Sequence, residues 1–290
     1  MAFRTVSINH RCKLSYSLNY MIVRKVDDEK RIFLDDIRLL IINSLEVTIT
    51  TALISELSKR KIKLILCNEK CNPECEMVSY QNNYYSYRKI KEQIDFPLER
   101  QQNLWTLIVK SKINNQKRVL DEMNKSEASL ILENYINELE FNDASNREGH
   151  AAKVYFNALF EIGFNRRDDN PKNKYLNYGY SILLSSINRA IKSYGYLTEL
   201  GIHHIGESNP FNLACDFIEP LRPLVDILVA DNRLTDSNFK EICIQLLSKH
   251  VIFNEKEYFL DNAIDLYVES LLSYLKTGNK SKIKFIEYEL

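Results

Sequence analysis

The chain has 290 residues, of which 45% are hydrophobic and 27% charged, so it is long and apolar enough to bury the core of one large domain or two smaller ones. The formal net charge is zero, which excludes a uniformly basic nucleic-acid binder and leaves only local basic patches for such a role. No apolar run approaches the roughly 18 residues that cross a bilayer, and no signal-peptide core is present, so we expect a cytoplasmic protein with no membrane partner.

Residues 1–75 predict a small β-rich domain. Short β-branched or aromatic runs separated by turn-like segments predict five strands: FRTVSI, KLSYSL, YMIVRK, KRIFL and RLLII. A helical pattern, TITTALISELSKR, and an apolar strand, KIKLILC, follow. Cys67, Cys71 and Cys75 then recur at x3 spacing. A zinc site there is conceivable, but zinc sites more often use C-x2-C pairs, which favours ordinary reduced cysteines.

After a linker at 76–86, residues 87–290 have the 3.6-residue period of helices. Helices are predicted over 98–123, 126–139, 145–160, 174–194, 210–230, 236–250 and 255–276. The last residues, KSKIKFIEYEL, are expected to form a mobile basic tail. The predicted fold class is α+β, with a small β-sandwich-like N-terminal domain followed by a larger all-α domain.

The stretch GIHHIGESNPFNLACDFIEP, at 201–220, places polar residues in an apolar helix. Asn209 and Pro210 predict the helix start, as N-cap and first helical position. One polar stripe runs along the helix, formed by Asn212, Asp216, Glu219 and Asp226. Asp216 and Glu219 are i, i+3 neighbours, so a cation, arginines or raised pKa values must compensate for their repulsion.

Two prolines behind these acids predict a kink. Pro220 and Pro223 cannot donate the helical hydrogen bond, which should leave backbone oxygens free beside the carboxylates. Together with His203 or His204, such oxygen and imidazole groups suit Mg²⁺ or Mn²⁺. The alternatives are a solvated polar face, neutralisation by Arg222, and ordinary hydrogen-bonded core histidines.

Glu148 is a third candidate ligand at the start of the 145–160 helix. Ser145-x-x-Glu148 also matches a capping box, in which the glutamate accepts the backbone N–H of Ser145. Both interpretations remain open at this point.

Three motifs in order resemble the CRISPR-associated integrase family, which inserts new spacers into a CRISPR array. They are Glu148 before an Ala/Tyr/Phe-rich helix, LNYGYSILLS at 176–185, and G-x-x-H at 201–204 followed by LACDFIEPLRP. The resemblance spans nearly the whole chain and looks most like members from type II systems. It implies a β-rich N-terminal domain making dimer and DNA-end contacts, and a helical catalytic domain.

The resemblance further implies a catalytic set of Glu148, His204, Glu219 and Asp216. The metal ligands for Mg²⁺ or Mn²⁺ would be Glu148, His204 and Glu219, with Asp216 as a nearby fourth acid. Many relatives have an aspartate where this sequence has Glu219, so metal preference does not transfer. The implied reaction is attack by the 3′-hydroxyl of a donor DNA on a phosphodiester of the repeat.

The implied partners are double-stranded donor and repeat DNA, a second copy of the chain, and a small adaptation protein that completes a heterohexamer. Type II accessory proteins, including the RNA-guided effector nuclease, are further expected partners. Basic residues near Glu148 are expected to bind phosphates: Arg147, Lys153, Arg166 and Arg167. A second predicted basic face comprises Lys110, Lys112, Lys117 and Arg118. The alternatives are a generic metal-dependent nuclease and a non-catalytic DNA-binding assembly subunit.

Overall fold

The computed structural model describes residues 4–26, 28–69, 73–77, 86–231 and 234–289. The chain divides into two compact units, Met1–Asn82 and Asn83–Leu290. Most of the predicted 76–86 linker lies outside the described residues, and so does Cys71 of the conceivable zinc site. Of its two companions, Cys67 is buried and Cys75 is exposed.

The N-terminal unit contains eight strands among its described residues. They are β1 (Arg4–Ile8), β2 (Cys12–Ser17), β3 (Tyr20–Arg24), β4 (Glu29–Phe33), β5 (Ile37–Ile42), β6 (Val47–Ile49), β7 (Lys63–Cys67) and β8 (Pro73–Glu76), with helix α1 (Thr51–Lys59) before β7. The strands form two four-stranded sheets, with orders β1-β5-β7-β8 and β4-β3-β2-β6. The predicted strands and helix are present, and β6 and β8 are additional.

One apolar core joins the two sheets of this unit. Leu14 and Met21 point into it from one sheet, and Leu40 and Leu64 from the other. Alternation along each strand supplies these residues, because successive side chains point to opposite faces. The side chain of Thr50 accepts a hydrogen bond from the first turn of α1, which packs its own apolar face on this core.

The C-terminal unit is mainly helical. Its helices are α2 (Ser86–Ile94), α3 (Leu98–Glu122), α4 (Ser126–Asn137), α5 (Arg147–Leu159), α6 (Pro171–Ser193), α7 (Asn212–Ile218), α8 (Arg222–Ala230), α9 (Phe239–Gln245) and α10 (Leu260–Thr277). A β-rich region followed by a larger helical part confirms the predicted fold class. Within the described part of the chain, no helix is both long and apolar enough to span a bilayer.

Two details of the C-terminal unit differ from the sequence prediction. A hairpin of β9 (His250–Phe253) and β10 (Lys256–Phe259) replaces the predicted beginning of the last helix. Asn254 and Glu255, at its turn, have φ values of 50° and 65°, the conformation that two-residue hairpin turns require. The predicted mobile tail is also wrong, because Ile286 and Tyr288 are buried.

Helix α3 crosses the centre of this unit and carries polar residues on its buried face. Apolar side chains recur at helical spacing along that face, and Lys112, Asn115 and Gln116 are buried among them. The predicted basic face on this helix is therefore wrong for Lys112. Lys110, by contrast, is exposed.

Candidate active site

The helix carrying Asp216 and Glu219 breaks where the prolines predict. Helix α7 ends at Ile218, residues 219–221 form one 3-10 turn, and α8 continues from Arg222. The start was predicted two residues too early: α7 begins at Asn212, and the Asn209 side chain accepts the N–H of Phe211 at 3.0 Å.

The polar stripe of this helix is not a solvated face. All four of its members are buried: Asn212, Asp216, Glu219 and Asp226. The carbonyl of Glu219, one of the backbone oxygens expected to be free, accepts the N–H of Arg222. The next carbonyl in the chain, that of Pro220, accepts from Asn115 at 2.8 Å and Tyr288 at 3.0 Å.

The Asp216 side chain fixes the loop that carries His203 and His204, called here the histidine loop. Its fully buried carboxylate accepts the backbone N–H groups of Ile202, His203 and His204 at 2.7, 3.2 and 3.0 Å. A fourth contact, 2.7 Å long, joins Oδ1 to Nδ1 of His204. This hydrogen bond raises the pKa of His204. It also assigns the Nδ1–H tautomer to the neutral ring, which leaves the Nε2 lone pair for a ligand.

Gly201 permits this close approach of loop and helix. A Cβ atom there would lie 2.2 Å from the carbonyl oxygen of His204 and 2.9 Å from Oδ2 of Asp216. The neighbouring His203 ring stacks on Trp105 of α3, with centroids 3.9 Å apart and planes at 5°. Burial lowers the pKa of His203, so its ring is a neutral packing element. The loop borders a cavity of about 470 Å³ that His204 helps to line.

Glu148 does not take part in the predicted capping box. The carboxylate of Asp143 caps α5 instead, accepting the N–H groups of Arg147 at 2.7 Å and Glu148 at 3.1 Å. The Ser145 hydroxyl is buried, with no hydrogen-bond partner in the described part of the chain. Asn146, at the N-cap, has a left-handed conformation, which moves the helix start one residue past the predicted cap. The Glu148 side chain is therefore free for another role.

The side chain of Lys112 joins Glu148 to Glu219. Its Nζ contacts Oε1 of Glu148 and lies 2.5 Å from Oε2 of Glu219, while Arg222 Nε donates to Oε1 of Glu219 at 2.9 Å. Burial alone would raise the pKa of Glu219, but Arg222 and Lys112 lower it to about 2. Both glutamates therefore face one buried ammonium group, and Glu219 is ionised at neutral pH.

Glu148, His204 and Glu219 have the side-chain types that bind a divalent ion. Glu148 and Glu219 direct carboxylate oxygens at one cation, and no described residue gives the buried Glu219 Oε2 a hydrogen bond of good geometry. The ionised carboxylate of Glu219 also lies close enough to help raise the pKa of His204. Two carboxylates and one imidazole suit Mg²⁺ or Mn²⁺. No three His, Cys, Asp or Glu side chains of the described chain are grouped as a metal cage, and the ammonium group of Lys112 lies between the two glutamates.

The four residues expected to bind phosphates lie on or just after α5. Lys153 and Arg167 are exposed. Arg147 pairs with Glu138 at 2.9 Å, and Arg166 donates to Asn173 and Asn177. Arg147 and Arg166 are thus already engaged within the protein, whereas Lys153 and Arg167 present their charge to solvent.

Sequence reasoning missed the contribution of α3 to the site. Trp105, Lys112 and Asn115 lie seven and three residues apart, on one face of the helix, and contact the histidine loop, the glutamates and the Pro220 carbonyl. The available signal was a lysine, an asparagine and a glutamine within an apolar stripe of helical spacing.

Comparisons with known proteins point to one family. A family described as "CRISPR associated protein Cas1" matches residues 6–242. The chain is similar to a CRISPR-associated endonuclease Cas1 of Neisseria meningitidis serogroup C, with 33% identity over 99% of this chain and 97% of that protein. A Cas1 endonuclease of Francisella tularensis subsp. novicida is 28% identical over 87% of this chain and 89% of its own length.

Solved structures share the fold. A Cas1 protein from Thermotoga maritima superposes with a TM-score of 0.73 at 17% identity, covering 94% of this chain and 97% of its own. A casposase bound to an integration product superposes with a TM-score of 0.70 at 20% identity, covering 96% of this chain and 92% of its own.

Proposed function

Because the chain belongs to the Cas1 family of CRISPR-associated proteins, we propose that it joins the 3′ ends of spacer DNA to a CRISPR repeat through a metal site of Glu148, His204 and Glu219. The family resemblance found in the sequence is thereby confirmed. One observation carries the site assignment: Glu148 and Glu219 converge on a single buried cation beside a histidine whose free nitrogen is set by Asp216.

The proposed reaction is a transesterification. The donor 3′-hydroxyl forms a new P–O bond at the repeat, the bond to the leaving 3′-oxygen breaks, and the proton lost by the attacking hydroxyl is balanced by one gained by the leaving oxygen. The number of phosphodiester bonds is conserved, so the reaction requires no nucleoside triphosphate and no covalent enzyme intermediate. A bound Mg²⁺ or Mn²⁺ would supply charge stabilisation at the phosphate.

The protein's own residues prepare this site. Asp216 holds the His204 ring in one orientation and, when the ring is neutral, in one tautomer. Arg222 keeps the Glu219 carboxylate ionised and fixed from the side opposite Lys112. His204 also lines a cavity of about 470 Å³, so part of its ring is open to solvent.

The partners proposed for this chain are taken from similar proteins. Solved neighbours include a Cas6-RT-Cas1–Cas2 complex, which supports a small Cas2-like partner for this chain. We propose a homodimer that binds this partner in a heterohexamer, with type II accessory proteins as further partners. Lys153 and Arg167 are the proposed phosphate contacts that are exposed now, and Arg147 and Arg166 would have to exchange their internal contacts to join them.

A hydrolytic nuclease would use the same ligands with water as nucleophile. The casposase structure holds an integration product, which supports strand transfer as the reaction of this fold. A supercoiled plasmid carrying a repeat, incubated with a short duplex donor, separates the two reactions. A donor with 3′-hydroxyl ends should be joined to the plasmid, and a donor with 3′-deoxy ends should not. Cutting that is equal with both donors would favour the nuclease.

Variants in the same assay test the ligands. His204→Ala, Glu219→Gln and Glu148→Gln should each reduce strand transfer by more than about 100-fold, which exceeds the usual effect of losing an outer partner of a metal ligand. His250→Ala and Glu161→Gln, both at exposed positions, are matched controls that should retain activity. Full strand transfer by any one of the three variants would contradict its assignment as a ligand.

A further inference from the structure

Lys112 occupies an unusual position for a lysine. It lies on the buried face of α3, beside Ile108, Val109 and Ile113, and its side chain is only 8% exposed. Burial alone would lower the pKa of Lys112, but Glu219 and Glu148 raise it, so the side chain carries its full charge. A buried ammonium group of this kind is stable only while its carboxylate partners remain in contact.

The two contacts of Lys112 use the oxygens that a divalent ion would need. Its Nζ lies against Oε1 of Glu148 and Oε2 of Glu219. An ammonium group and a divalent ion bind carboxylates through the same lone pairs, so both cannot lie between these two oxygens together. Arg222 does not compete in this way, because it binds the other oxygen of Glu219, Oε1.

The geometry also provides a way for an ion to enter. The Glu148 side chain is 29% exposed, whereas that of Glu219 is 5% exposed. An ion arriving from solvent therefore meets Glu148 first. The lysine has a flexible four-carbon stem and can withdraw its ammonium group without any change in the backbone of α3.

We propose that Lys112 is a resident cation that holds Glu148 and Glu219 together before metal binds, and that the divalent ion displaces it from between them. The inference rests on the metal site of the proposed function and extends it. The protein assembles its ligand pair without metal, and the apparent metal affinity is set by competition with its own lysine.

Replacing the lysine tests the competition directly. Lys112→Met removes the competing charge and keeps an unbranched apolar stem, so Mn²⁺ should bind about tenfold tighter or more. Lys110→Met, at an exposed position on the same helix, is the matched control and should bind Mn²⁺ as the unmodified protein does. Affinities can be measured by calorimetry, and the fluorescence of Trp105, the chain's single tryptophan, offers a second signal beside the histidine loop.

Whether Lys112→Met binds Mn²⁺ more tightly or more weakly decides between two roles of the lysine. If Lys112 only pre-aligns the ligands, its removal should weaken Mn²⁺ binding, and equal or weaker binding by Lys112→Met overturns the inference. The proposed metal site has a separate test, because His204→Ala should lose Mn²⁺ binding in the otherwise unmodified protein. Binding that survives His204→Ala refutes that site, whatever the lysine variant does.

Thermal unfolding of Lys112→Met tests whether Mn²⁺ can stabilise the protein in place of the lysine. Without metal, Lys112→Met leaves two carboxylates uncompensated and should unfold at a lower temperature than the Lys110→Met control. Saturating Mn²⁺ should raise its unfolding temperature by more than it raises that of the unmodified protein. Lys112→Gln, which can still donate to one carboxylate, is the second variant. If both remain unfolded at saturating Mn²⁺, the ion cannot replace the lysine and the inference is wrong.

Discussion

The two halves of the candidate site are held in different ways. His204 is fixed by Asp216, whose buried carboxylate accepts three backbone N–H groups and the imidazole. Glu148 and Glu219 are held by side chains: the ammonium group of Lys112 contacts both, and Arg222 also donates to Glu219. Both halves solve the same problem, which is the cost of burying a carboxylate without compensation.

The two halves differ in whether their contacts can be exchanged for a metal ion. Backbone N–H groups cannot leave Asp216 unless the loop unfolds, so the position of His204 is part of the fold. A lysine side chain can leave Glu148 and Glu219 when a better cation arrives. The position of His204 should therefore stay the same when metal binds, whereas the contacts of Glu148 and Glu219 should change.

The largest expected effect comes from breaking the histidine half. Asp216→Asn keeps the shape of the side chain but directs an NH₂ group at backbone donors, so the loop loses part of its hydrogen bonding. We expect a loss of about 3 kcal/mol in the free energy of unfolding, because buried donors are left without an acceptor. We also expect a 10- to 100-fold loss of strand transfer.

Urea denaturation and the plasmid assay measure these two effects. Mn²⁺ should restore little of the lost stability, in contrast to its expected rescue of Lys112→Met. A variant that Mn²⁺ rescues completely would show that the two halves are not distinct.

The sequence predicted the need for compensation but not the groups that supply it. Two acids at i, i+3 on an apolar helix require partners, and Arg222, also at i, i+3 from Glu219, could be named in advance. Lys112 could not be paired with Glu148 or Glu219, since contacts between residues far apart in sequence depend on how α3 packs. The capping box failed because Asn142, Asp143 and Asn146 have positive φ values, which place Asp143 rather than Ser145 at the helix start.

The fold was more predictable than the site. Short β-branched or aromatic runs predicted the N-terminal strands, and the 3.6-residue period predicted the long helices, because both patterns follow from local geometry. The C-terminal tail looked mobile since it is basic and terminal. Its burial depends on Tyr288 reaching the Pro220 carbonyl, a tertiary contact that no local pattern records.

A third buried carboxylate on the same stripe sharpens the comparison. Among the residues that the structure describes, neither a backbone N–H nor a cation binds Asp226 directly: Tyr180 donates to it, and Tyr155, Arg166 and Arg222 lie close enough to lower its pKa. Burial raises the pKa of Asp226 to about 6, against an ordinary value of 3.8. Because the folded state binds the proton more tightly, this group's contribution to stability is complete below pH 3.8 and is lost as pH rises through about 6.

Asp226→Asn should therefore have a pH-dependent effect. Relative to the unmodified protein, the variant should gain about 1.4 kcal/mol in the free energy of unfolding between pH 5 and pH 8. Urea denaturation at the two pH values checks this, with Asp236→Asn at an exposed position as control. A difference between Asp226→Asn and the unmodified protein that does not change with pH would show that Asp226 does not titrate in this range.

The smallest expected effect tests whether the fold supports the turn after Glu219. The Tyr288 hydroxyl and Asn115 both donate to the Pro220 carbonyl, which follows Glu219 in the chain. Tyr288→Phe leaves the asparagine bond in place, so we expect a loss of only about 0.5 to 1 kcal/mol in the free energy of unfolding. Tyr258→Phe, in the hairpin, is the matched control.

Adding Asn115→Ala to Tyr288→Phe leaves the buried Pro220 carbonyl without either donor. The double variant should therefore lose more free energy of unfolding than the sum of the losses of the two single variants. Simple additivity would mean that the two donors do not act on the turn together.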